Sequence, residues 1–225
     1  MKRNQSGFTL IEIAIVLVII GLLLGGILKG QELINGAKVK NLATDFKNIP
    51  VFIYGYQDKF KALPGDDTSA ATHLTNGTAA ATPSNSLGNG AINGEWNSPT
   101  VTDESYLFWQ HVRLAGFAAG ATTTGAADYA QTNAAGGIIG VQSNAGFTTI
   151  TKNAAGAASA MAGTYVICSS GILGKYAKQL DTLLDNGDTD SGSVRVNDPS
   201  ATPSGQSVAT AGIQDGSSYT VCMGV

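Results

Sequence analysis

The sequence predicts an α+β fold in which one long N-terminal α-helix packs on an antiparallel sheet. Three observations predict it. Phe8–Leu28 is an apolar run of 21 residues broken by one charge, Glu12, and about 20 such residues let a helix cross a bilayer. Beyond Gly30, the apolar residues Leu33, Ile34, Ala37, Leu42, Phe46, Ile49 and Ile53 recur at steps of three or four with one longer gap. That is the period of an amphipathic helix. From Ala62 onward, short strand-like segments alternate with Gly-, Asn-, Ser- and Pro-rich turns.

Taken in order, these observations divide the chain into residues 1–7, a helix over 8–61 that is membrane-spanning at about 8–28, and a globular head over 62–225. Pro50 removes one helical hydrogen bond and predicts a kink. The helix is expected to stop near Gln57–Lys61, before Leu63-Pro64-Gly65. Asp66 reads as the N-cap of a short helix through Leu74, and Asn76–Asn97 as loop. Thr102–Gly116 reads as a helix, with Thr102 as cap, Asp103 and Glu104 in the first turn and Gly116 as stop. Its residues Leu107, Phe108, Val112, Leu114 and Ala115 can pack on the long helix. Strands are expected at Gly137–Val141, Phe147–Thr151, Thr164–Ser169, Ser193–Val196 and Tyr219–Met223. A further helix fits Ile172–Asp185, stopped by Asn186-Gly187. The low-complexity loops Ala118–Asn133 and Ala154–Ala162 are expected to be exposed.

Charged residues make up only 13% of the chain, and the net charge of −3 hides an asymmetry. Lys2 and Arg3 precede the apolar run, which predicts that residues 1–7 stay cytoplasmic and the head crosses. From Ala62 onward, five basic side chains face twelve acidic ones. An acidic head lacks the Lys and Arg clusters that nucleic-acid binding draws on. The two cysteines, Cys168 and Cys222, cannot make a structural zinc site alone. One disulfide in an oxidising compartment is the simpler reading.

A cleaved secretory signal would also be basic and then apolar, but Gly25-Gly26-Ile27-Leu28-Lys29-Gly30-Gln31 is a poor small-x-small site. The segment Ser6-Gly7-Phe8-Thr9-Leu10-Ile11-Glu12 instead resembles the leader of type IV prepilins and type II secretion pseudopilins. The resemblance is specific over about the first 30 residues, supportive to about residue 65 and loose across the head. It implies that a membrane prepilin peptidase cuts after Gly7 and that Phe8 becomes the methylated N-terminus. It also implies that Glu12 pairs with the Phe8 amine of a neighbouring subunit. A carboxylate in lipid costs roughly 2.5–3.5 kcal/mol and calls for a partner or a shallow position. From the residues alone, Glu12 equally suits the interface at the positive end of the helix dipole. Gly21-x-x-x-Gly25 and Gly26-x-x-x-Gly30 have the spacing that lets membrane helices approach closely, and equally that of a glycine-rich helix with no particular partner.

The head offers no catalytic constellation, so the sequence points away from an enzyme. His73 and His111 are isolated in sequence and read as packing or surface residues. Trp96 and Trp109 read as packing residues, with sugar stacking as the alternative. The best metal candidate is Asp185, Asn186, Asp188 and Asp190, whose oxygens alternate on one loop. The loop is not an EF-hand, since position six is Ser191 and position twelve is Asn197. Calcium at this loop is an expectation supported by the resemblance to pseudopilins, and a solvated turn is the other reading. No other cofactor is expected.

The resemblance implies an inner-membrane single-pass precursor with its head outside the cytoplasm, which then enters a pilus or a periplasmic pseudopilus. Expected partners are copies of the chain and related pilins in a helical filament, the prepilin peptidase and the inner-membrane assembly platform. The function expected is that of a structural subunit. The alternative is a minor pilin acting as an adhesin or binding module.

Overall fold

A computed structural model describes residues 9–84 and 86–225. The chain forms a long helix and a four-stranded antiparallel sheet with further helices, an α+β, pilin-like fold. Its elements are α1 (Leu10–Phe60), α2 (Ala70–His73), α3 (Glu104–Leu114), β1 (Ile139–Ser143), β2 (Tyr165–Leu173), α4 (Gly174–Leu184), β3 (Val194–Asn197), a 3-10 turn (Thr210–Gly212) and β4 (Ser218–Gly224). By their contacts, residues up to Lys38 form one unit and Val39–Val225 another.

Helix α1 passes Pro50 and ends where Lys61 turns left-handed, at φ 57°. In the second unit it buries Val39, Leu42, Ala43, Phe46, Ile49, Ile53 and Tyr56. These lie three or four residues apart apart from the Leu42–Ala43 pair, which is one stripe of a helix. The stripe starts later than the periodicity implied: Leu33 and Ile34 are 68% and 60% exposed, and Ala37 is exposed too. An apolar period marks a face and does not say where the covering residues begin.

The sheet order is β1-β2-β4-β3, all pairs antiparallel. The strands are almost wholly buried because both faces are covered. Successive side chains point to opposite faces. Ile139, Val141, Tyr165, Ile167, Val194, Val196, Val221 and Met223 share one core with the α1 stripe from Val39 to Ile53, with Phe108, Trp109 and Val112 of α3, and with Tyr176, Ala177 and Leu180 of α4. On the other face, Val166, Cys168 and Cys222 pack with Trp96, Phe147, Ile150 and Met161 from loops.

Four expectations need correction. Phe147–Thr151 is not a strand: its apolar residues are loop-borne and pack over the second face of the sheet. Asp66 is not a helix cap. The short helix begins at Ala70 after Ser69, and the Asp66 oxygens instead accept the Gly88 and Gly90 amides at 2.5 and 2.7 Å. The residue before α3 is Asp103 rather than Thr102, and its side chain makes no capping hydrogen bond. The loops expected to be exposed each bury residues, Tyr129 and Asn133 in one and Met161 in the other. Tyr129 is held because its hydroxyl donates to the Tyr106 carbonyl and accepts the Gln110 amide.

Cys168 and Cys222 form a disulfide across directly paired positions of β2 and β4, with a Cα–Cα distance of 4.1 Å. It closes a sequence separation of 54 residues, which on the chain-entropy account stabilises the fold by about 4 kcal/mol. Next to it, β2 carries a bulge between Ser169 and Ile172, where Gly171 takes φ 73°. Left-handed backbone of this kind favours glycine.

Both sheet edges are roofed by the chain itself. On the β3 side, the Val194 amide donates to the Asp185 carboxylate and the Val196 amide to the Thr189 carbonyl, while the Val196 carbonyl accepts from the Val208 amide. On the β1 side, the Ile139 and Ser143 amides donate to the carbonyls of Gln131 and Ile92.

Candidate functional site

The functional residues expected at the N-terminus fall partly within the described structure. Gly7 and Phe8, expected to carry processing and assembly, lie outside the described residues. Glu12 lies in the first turn of α1. Its Oε2 accepts hydrogen bonds from the Thr9 amide and the Thr9 hydroxyl, both at 2.8 Å. The Glu12 amide in turn donates to Thr9 Oγ1 at 3.3 Å. This reciprocal pattern is a capping box, which satisfies donors that a helix start leaves open. Thr9-x-x-Glu12 is its sequence signature, and it gives Glu12 a local role in its own helix. Oε1 takes no part in the box.

After Glu12 the helix offers its apolar residues outward on every side. From Leu10 to Leu28 the large aliphatic side chains are 46% to 93% exposed. A soluble domain rarely leaves so contiguous a patch uncovered. The span is long and apolar enough to cross a membrane. A β-carbon placed at Gly21, Gly25, Gly26 or Gly30 would meet no other atom within 4 Å. Nothing packed among the described residues therefore asks for glycine there.

In the head, the acidic loop lies between α4 and β3. Asp185 Oδ2 accepts the Ser193 and Val194 amides at 2.6 and 3.0 Å. Asn186 Oδ1 accepts the Asp188 amide, and Asp188 accepts the Ser191 hydroxyl. Asp190 accepts the Ala154 amide and the Ser207 hydroxyl. Among the described residues, no three His, Cys, Asp or Glu side chains are gathered to hold a metal. Behind the loop, α4 buries Asp181, whose carboxyl oxygens are sealed from solvent. Burial, together with the nearby Asp185 and Asp188 and against the Gly187 amide, pushes its pKa up to about 6.

The two histidines, isolated in sequence, meet in one network. Tyr56 of α1 donates to Asp67 Oδ2 at 2.8 Å, and His73 Nδ1 lies 2.7 Å from the same oxygen. The Tyr56 ring stacks on His111 with centroids 5.9 Å apart. His111 Nδ1 accepts the Gly65 amide, and its Nε2 faces the Thr78 carbonyl at 2.8 Å. Burial holds the His111 pKa below the ordinary imidazole value. The network ties the end of α1 to α3 and needs no ligand to explain it.

Residues 2–28 match the prokaryotic N-terminal methylation motif, the leader found on type IV pilin and pseudopilin precursors. No curated protein and no solved structure matches the chain significantly. The N-terminus is therefore a prepilin-type leader, and a pilin- or pseudopilin-type precursor is the class this motif supports.

Proposed function

We propose that this chain is a structural subunit of a type IV pilus or type II secretion pseudopilus. Prepilin peptidase cuts it after Gly7, Phe8 is methylated, and the subunit polymerises through its N-terminal helix. The observation that carries this reading is the leader motif running directly into a helix whose aliphatic side chains lie open from Leu10 to Leu28. Such a surface suits lipid before assembly and neighbouring helices afterwards. Head-to-tail contacts repeated without closure generate a helical filament. Binding by the head is the other reading, and an exposed aromatic patch would favour it. Trp96 and Trp109 do not supply one, being 7% and 6% exposed.

Intact-mass analysis of the protein expressed with its peptidase tests the proposal. The expected product begins at N-methylated Phe8 and is recovered in filaments. A chain still beginning at Met1, or cut after Leu28, would sink it.

A calcium role for the Asp185–Asp190 loop draws support from buried Asp181, a carboxyl that an ion could recruit from behind the loop. The side chains do not converge as they stand, so binding would have to rearrange the turn. Millimolar calcium is expected to raise the melting temperature of the full chain in detergent, because a ligand that binds only the folded state stabilises it. An unchanged melting temperature leaves a hydrogen-bonded turn.

A further inference from the structure

A hollow of about 230 Å³ opens beside α1, lined by Asp45, Asn48 and Phe52 of that helix, Trp109 of α3, Phe117 and Gln131. It is far larger than a single water needs. Its walls are set by the fold. The Phe117 and Ala118 amides both donate to the Val112 carbonyl, at 2.9 and 3.3 Å. The Phe117 ring closes on α1 at Gly55, where a β-carbon would lie 2.8 Å from it. Gln131 Oε1 accepts from Arg113 at 2.9 Å. Three aromatic side chains and one carboxyl group thus meet in a hollow built before anything enters it.

Among the described residues, the Asp45 carboxyl takes part in no hydrogen bond or ion pair. It is half-buried. Burial raises it above the usual carboxylate range, and no nearby positive charge pulls it back. The cations of the flanking helices are engaged elsewhere. Arg113 donates to the carbonyls of Ala121 and Tyr129, and Lys59 to that of Ala115. Lys47 stands two positions along α1 from Asp45 and so does not face it. A half-buried carboxylate without a partner carries a desolvation cost that an entering cation would offset. Aromatic walls add to the attraction, since ring faces draw an ammonium group. Apolar walls also suit the methylene stem of a lysine.

We propose that this hollow takes a lysine side chain from a second copy of this chain, with its ammonium on Asp45 and its stem along Phe52 and Phe117. In the filament proposed above, on which this rests, copies lie side by side. Charge complementarity names the occupant. Lys38, Lys40, Lys47 and Lys152 are exposed and enter no ion pair among the described residues. The chain thus carries both an unpaired carboxylate in an aromatic hollow and unpaired ammonium groups to fill it. Such a contact is directional. One copy gives the lysine and the next receives it, so the pattern can repeat along a polymer without closing.

Carbodiimide treatment of filaments grown from mixed unlabelled and isotope-labelled subunits tests this, because the reagent condenses a carboxylate with an amine only where the two touch. Peptides joining Asp45 of one isotope to Lys38, Lys40, Lys47 or Lys152 of the other are expected. Filaments that give no such link, links within one copy only, or links from Asp45 to another protein instead, overturn the proposal and leave the filament reading standing. Absence of any filament from the native chain overturns both. Asp45→Asn keeps the shape of the side chain and removes its charge. It is expected to lower the ratio of filament to membrane-held subunit about tenfold, the equivalent of one pKa unit of interaction. The melting temperature of the full chain in detergent is expected to hold or rise. A native ratio in this variant overturns the proposal. Should Asp45→Asn fail to fold, the cross-links of the native chain decide.

Discussion

Glu12 caps its own helix, and in the proposed function it also pairs with a neighbour's amine; a single substitution separates the two. The capping box needs only a side-chain acceptor at the third helical position, and glutamine serves there as glutamate does. Neutralising a neighbour's amine needs the charge. Glu12→Gln should therefore keep the helix start, whose caps are worth about 0.5–2 kcal/mol, and keep membrane insertion. It should lower the ratio of filament to membrane-held subunit severely, because each contact along the polymer would leave a buried amine unpaired. A native ratio in cells expressing only this variant would confine Glu12 to capping its own helix. Thr9-x-x-Glu12 was legible in the sequence as a local four-residue pattern. Asp66 and Glu104 were not, since each reads locally as an ordinary cap or first-turn acid. Their partners lie 11 to 24 residues away along the chain, and only the packed fold brings them together.

At the scale of elements, α1 joins two kinds of surface in one uninterrupted helix. Phe46 is wholly buried, whereas Leu33 is 68% exposed. Phe46→Ala should destabilise the full chain in detergent by about 3–5 kcal/mol, the usual cost of emptying an aromatic core position. Leu33→Ala should change it by no more than about 0.5 kcal/mol. Urea titration of both variants checks the contrast, and equal losses would mean that the core begins before Val39. The periodicity made the helix legible but not its division, because outward-facing and core-facing aliphatics look alike in sequence. The same limit explains Phe147–Thr151. Phe147 and Ile150 are both buried in one cluster, at a spacing of three that a strand would put on opposite faces, and the Thr151 amide donates to Gly205 in a loop. Burial was written locally, but the identity of the hydrogen-bonding partner was not.

Across the whole molecule, buried titratable groups set opposing limits on stability. Glu104 is raised to about 7. Its contribution is fully present below the unfolded value near 4.5 and is lost as pH rises through 7, by about 3 kcal/mol. Burial alone would raise Asp67, but bonds from His73, Tyr56 and Ser69 outweigh it and hold Asp67 below the usual carboxylate range. That contribution is present above the unfolded value and is lost as pH falls through the folded one. His111, buried neutral, likewise opposes acid. Unfolding free energy is thus expected to peak in mildly acidic solution and to decline toward pH 8. A curve that keeps rising from pH 5 to 8 contradicts the Glu104 assignment. In Glu104→Gln the decline should shrink to the part that Asp181, raised to about 6, contributes.

The roofed edges of the sheet bear on crowding. An open strand edge is a template onto which any other chain can add, and a filament holds its heads at very high local concentration for its whole lifetime. Here Asp185, Thr189 and Val208 occupy backbone groups along β3, and residues 92 and 131 occupy those at both ends of β1. In the filament proposed above, neighbouring heads would then meet through side chains and loops, contacts that can slide or part when a polymer bends or is withdrawn. Heads joined strand to strand would instead fuse into a cross-β aggregate that no cell could take apart.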